Sequence, residues 1–217
     1  MSIDFSKLCA DHLRQYVLTS SANKLKASHA RELVAAFFGY QSHAALLSDQ
    51  TFPLSRLSKA GILVPDVPMI ERRLGDLHGL PDLPWPLEIA RVMSEFLKTG
   101  TPFTGEVWVY ESLEGYLADV WLRENDASLM DELSGVMAET NAEFTDFPDY
   151  EGLELVDSGE RLNITIYARY SGDQLDDKPY CGHEISFQAL LTLTRVASKR
   201  SFLDYQLDVR SHSVRDW

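Results

Sequence analysis

The sequence predicts an α+β protein: a helical N-terminal half, then an antiparallel β-sheet, a meander with one helix packed on a face. Three observations predict it. Up to Lys98 the apolar residues recur at helical spacing. From Gly105 the period becomes two, interrupted by one amphipathic stretch over 128–144. A proline-rich segment over 51–86 interrupts the helical half, and Gly100 with Thr101-Pro102 marks the change between the two regimes. Three regions are expected: a helical subdomain over 1–50, a connector with a helix over 51–100, and a sheet-plus-helix domain over 101–217.

Asp4 is placed to cap a first helix, whose face is Phe5, Leu8, Cys9, His12, Leu13, Tyr16 and Val17. Residues 19–27 form a polar link. Ser28 is the expected cap of a second helix, with Glu32 near the positive end of its dipole and Leu33, Ala36 and Phe37 on its buried face. Arg31 stands where a capping box needs an acid or amide, so the box is absent. Gly39 is the expected stop, and Ser42 caps a short helix over His43–Ser48, which completes a helical hairpin.

Prolines 53, 65, 68, 81, 84 and 86 make 51–86 a winding connector with one short helix about Val67–Leu77. Leu87–Lys98 reads as another helix, stopped by Gly100. Strands are expected over Glu106–Tyr110 and Tyr116–Arg123, turning at Glu114-Gly115. A helix follows over Ser128–Phe144, with Ser128 and Asp131 as a variant cap. Leu153–Asp157 and Leu162–Tyr170 flank Ser158-Gly159, a hairpin signal. Ile185–Val196 and Leu203–Val209 supply the last strands.

Residues 28–47 carry Ser28, Ala30, Glu32, Leu33, Val34, Ala35, Gly39, Tyr40, Ser42 and Leu46. In this pattern the segment resembles the short N-terminal helical element of bacterial glyoxalase-related proteins and of uncharacterised plasmid- and island-borne proteins. The resemblance implies a bacterial setting on a mobile genetic element. It carries over no catalytic residue, because the element is not where that family does its chemistry.

A formal net charge of −13 and a pI of about 4.8 disfavour nucleic acid and suit a basic partner. The hairpin could be read as a helix-turn-helix, but Gln41, Ser42 and His43 bring no Lys or Arg for phosphates or guanine edges. Two cysteines, Cys9 and Cys181, argue against a disulfide framework and fit a cytoplasmic protein. No apolar run is long enough to span a membrane, and no signal peptide begins the chain.

The most unusual connection is Ser171–Glu184. Asp173, Asp176, Asp177, Lys178, Cys181, His183 and Glu184 form the candidate loop site. Cys181 with His183 offers a thiol nucleophile and base, or half a zinc site that Cys9 and His12 would complete. Against this, Asp176, Asp177 and Glu184 disfavour the Cys181 thiolate. His183-Glu184 opens like a zincin motif, but Phe187 stands where the second histidine belongs. No phosphate-cradling glycine loop and no nucleophile elbow occurs. The expectation is therefore a non-enzymatic accessory or regulatory protein binding another macromolecule, a protein, with no metal, no cofactor and no catalytic residue. The alternatives are a small-molecule enzyme or metal-binding protein using the 173–184 loop, and a nucleic-acid binder using the hairpin.

Overall fold

The computed structural model describes residues 3–175 and 183–214, with side chains as far as Ser211 at the C-terminal end. The chain is α+β, its helices mostly N-terminal, its long strands at the C-terminal end. It divides into two compact units, Met1–Leu113 with Thr194–Asp204, and Glu114–Leu193 with Tyr205–Trp217.

In the first unit, α1 (Phe5–Ser21) starts at Asp4, whose Oδ1 accepts from the Lys7 amide at 2.9 Å. Phe5, Cys9, Leu13 and Val17 recur every fourth residue and are buried, while Leu8 stays partly exposed. The next helix, α2 (Ala27–Phe37), begins before Ser28, which corrects the expected cap. Lys26 holds an extended conformation and its carbonyl already takes the Ala30 amide at 3.0 Å, so Ser28 falls inside the first turn. The stop is at Gly39, with φ +83°. The Gly39 and Tyr40 amides return to Ala36 and Ala35, both at 2.9 Å, closing the C-terminal turn. Ser42 caps α3 (His43–Ser48) by accepting from Ala45 at 3.1 Å.

Asp66 caps α4 (Val67–Asp76), with proline in the first turn, and α5 spans Pro86–Gly100. Leu33, Phe37, Phe38, Leu57, Ile70, Met93 and Leu97 form a dry core with no exposed surface. Each such side chain contributes about 1.5–3 kcal/mol by leaving water. A short strand β1 (Ile62–Leu63) pairs in parallel with β2 (Glu106–Val107) and antiparallel with Ser201–Phe202. Gly61 is required there: a Cβ would lie 2.1 Å from the Leu203 carbonyl oxygen.

The expected strand pair over 106–123 is not formed. Only Glu106–Val107 are strand; 108–112 are irregular, and helix follows as α6 (Leu113–Tyr116), a π-helical turn (Leu117–Trp121) and α7 (Leu122–Glu124). Within 113–124 the buried residues are Leu117, Trp121 and Leu122, a helical spacing that the alternation of Tyr116, Ala118 and Val120 conceals.

In the second unit, α8 runs over Asp126–Glu139, not 128–144. Its N-cap position is Asn125, so Ser128 and Asp131 are exposed helix residues and form no cap. Thr140 turns extended and its hydroxyl donates to the Met137 carbonyl at 2.8 Å, ending the helix. β3 (Ala142–Glu143) then pairs with β6 (Asp173–Gln174). The long strands are β4 (Asp149–Asp157), β5 (Arg161–Ser171), β7 (Glu184–Ala197) and β8 (Ser201–Val214). Gly159, at φ +85°, makes the β4–β5 hairpin turn. Strand order is β2-β1-β8-β7-β5-β4. The four long strands form the expected meander; the parallel β1–β2 pair makes the sheet mixed rather than purely antiparallel.

Along β5, Leu162, Ile164, Ile166, Ala168 and Tyr170 are buried, and Ile185, Phe187, Ala189, Leu191 and Leu193 are buried along β7. Leu129 and Leu133 of α8 are buried too. Tyr170 stacks on Phe187 at 5.3 Å and donates to Asp126 Oδ1 at 2.6 Å, tying strand to helix.

Candidate functional site

Of the candidate loop, Asp176, Asp177, Lys178 and Cys181 lie outside the described residues. The other three are held by the sheet. Asp173 sits in β6, opposite Glu143 of β3. The His183 carbonyl accepts the Gly172 amide at 2.7 Å. Glu184 opens β7 and lies 3.6 Å from Arg169, which is also 3.6 Å from Glu151. These described ends hold a short β3–β6 pair and an acid–base–acid ladder.

Cys9 and His12 do not come together as ligands. Cys9 is fully buried, and burial, helped by the Asp4 charge, pushes its thiol up to about 12. His12 stacks face to face on Phe96 at 4.2 Å, and burial lowers its pKa against the opposing pull of Glu95. Among the described residues no group of three or more His, Cys, Asp or Glu is placed to hold a metal ion.

In the hairpin, Ser42 and His43, two of the three residues that would read a base edge, are committed to packing, and Gln41 is exposed. Ser42 caps its own helix, and the His43 ring meets Ser6 Oγ at 3.2 Å through Nε2. Glu32 takes the His43 amide at 3.2 Å and the Arg73 guanidinium at 2.5 Å on the same oxygen. Tyr40 donates to Asp49 Oδ2 at 2.6 Å, and Asp49 Oδ1 accepts the Thr51 and Phe52 amides. Burial opposes the charge on Asp49, but these donors outweigh it and lower its pKa. The same pairing, after burial, raises the Tyr40 phenol.

The charge of the molecule is not shared between the units. The second unit has 20 Asp and Glu against 6 Lys and Arg, whereas the first has 13 against 14. Within the second, residues 124–160 contain 12 acids and no Lys, Arg or His. Every acid of that run except Asp126 is exposed. The run includes α8, β3 and β4, and β4 ends the sheet. On β4, Asp149, Glu151, Glu154 and Asp157 are exposed beside Leu155 and Val156, which are 49% and 52% exposed. The signal was present in the sequence as an unbroken acidic run, obscured because whole-chain charge averages it with a neutral first unit.

Fold and surface together define an α+β protein with one strongly acidic unit ending in an open, partly apolar edge. No family model, no curated protein and no solved structure matches the chain.

Proposed function

We propose that the protein is a non-enzymatic accessory or regulatory protein that binds another protein through the acidic surface of its second unit. The observation that carries this reading is the exposed, base-free acidic run over 124–160. Concentrated single-sign charge steers an oppositely charged partner and repels nucleic acid. Two side chains outside the 173–184 loop support the same reading: Cys9 is inert by burial, and His12 is packed against Phe96. No described helix is long and apolar enough to cross a membrane. The cytoplasmic placement rests on a chain with only two cysteines, and the bacterial, mobile-element setting on the resemblance of residues 28–47.

The test is retention from a bacterial lysate by the immobilised protein at low and high salt. The control has Asp131, Glu132, Glu139, Glu143, Asp146 and Asp149 replaced by their amides. A basic protein held at low salt, released at high salt and missing from the control is the expected result. Equal retention by both proteins would overturn the reading.

A further inference from the structure

We propose that β4 is a docking edge on which an extended basic segment of a partner protein adds as one more strand. The inference rests on the acidic-surface reading and names its mode of recognition. β4 is nine residues long and pairs with β5 on one side; among the described residues no strand covers the other. A terminal strand presents a row of unused backbone donors and acceptors, and proteins usually blunt such an edge by keeping it short, charged, bulged or covered. This one is long, with a register shift between Tyr150 and Gly152 and a regular run over 152–157, and its side chains favour one kind of guest.

The β4–β5 register places Leu153 and Leu155 on the face of Ile166 and Ile164, and Glu154 and Val156 on the opposite face with Thr165 and Asn163. Leu155 is half exposed. Arg169, the base opposite Asp149, is already shared between Glu151 and Glu184. An added strand would meet Asp149, Glu154 and Val156 on one face, and Leu153, Leu155 and Asp157 on the other. Acid and apolar side chains mix on both faces, so the guest needs Lys or Arg interspersed with apolar residues. A second copy of this chain fits poorly, because edge-to-edge pairing would set the β4 acids against each other, and like charges across a ladder destabilise it.

The probe is a nine-residue labelled peptide alternating Lys and Val, titrated by fluorescence anisotropy. Two further peptides carry backbone N-methyl groups on the odd or the even residues, which keeps the charge and blocks one edge of the strand. Amide exchange over 149–157 is read in parallel. The expected result is binding of the parent peptide with slowed exchange across β4. One N-methylated set should weaken binding about tenfold or more, and Glu151→Lys with Glu154→Lys should do the same.

Equal binding of all three peptides would overturn strand addition and leave the acidic-surface reading standing. No binding of the parent peptide, by a protein that still retains a basic partner from lysate, would also sink only this inference. Loss of both would sink the two together. A concentration-dependent dimer that protects β4 without peptide would replace the partner segment by a second copy and overturn the proposal.

Discussion

Arg200, in the turn just before β8, donates from Nε to Asp66 Oδ2 at 3.0 Å across 134 residues of chain, while Asp66 Oδ1 caps α4 through the Met69 amide at 3.1 Å. Asp66 is 6% exposed and so leaves water almost completely, with both its oxygens engaged. One carboxylate therefore starts a helix and anchors a strand.

Asp66→Ala removes the cap and strands the Arg200 guanidinium, and should cost about 2–3 kcal/mol. Asp66→Asn keeps a capping oxygen and should cost about 1 kcal/mol. Urea unfolding midpoints read both. Equal losses would show that the cap contributes nothing beyond the ion pair.

Gly39 shares this corner. Its φ is +83°, and an added Cβ would lie 2.9 Å from Arg200 Cγ and 3.2 Å from Lys199 Cβ. Gly39→Ala should cost about 1 kcal/mol for the left-handed backbone, and Gly39→Val more. Because the new Cβ displaces the Arg200 stem, the loss should be less than additive with Asp66→Asn in a double-mutant cycle. Full additivity would show that Arg200 swings aside without weakening the pair.

Alkali should unfold the protein. The Cys9 thiol is pushed by burial from 9.0 to about 12 in the folded state. A group whose folded pKa is raised contributes stability that is intact below its unfolded pKa and is lost as pH rises through the folded value. For Cys9 that window is pH 9 to about 12. The buried Tyr40 and Tyr170 phenols, raised by burial and by Asp49 and Asp126, act with the same sign. Thermal midpoints should fall across this window, and less steeply for Cys9→Ala. Thiol reagents should leave native Cys9 unmodified near neutral pH and label it in denaturant. Rapid native labelling would contradict its burial.

Added salt should stabilise the second unit. Twelve acids without a base over 124–160 repel one another, and the screening length falls from about 30 Å at 0.01 M to about 10 Å at 0.1 M. Raising sodium chloride through that range should raise the unfolding midpoint. The amide-substituted control should respond less. A midpoint that fell with salt would mean that favourable ion pairs outweigh the repulsion.

Local signals were legible wherever one residue's covalent chemistry decides the outcome. Asp4, Ser42, Gly39 and Gly159 act as read, because a short oxygen side chain suits a cap and a missing Cβ suits a left-handed turn. The alternation of Leu162 to Tyr170 fixed β5, because a strand's period leaves no second choice of face. Ser28 misled because Lys26 began the helix without any side-chain bond. Tyr116–Arg123 misled because Leu117, Trp121 and Leu122 are apolar at helical spacing and their neighbours at strand spacing. Periodicity cannot choose between these when both faces are partly apolar.

By itself the sequence determined the α+β order, the helical hairpin, the β4–β5 turn and the acidic balance, all properties of neighbours along the chain. Tertiary structure decided the Asp66–Arg200 and Glu32–Arg73 pairs, the parallel β1–β2 contact and the place of β4 at the end of the sheet. Those depend on which distant segments close on each other. That choice is set by the burial of whole faces rather than by any local spacing of residues.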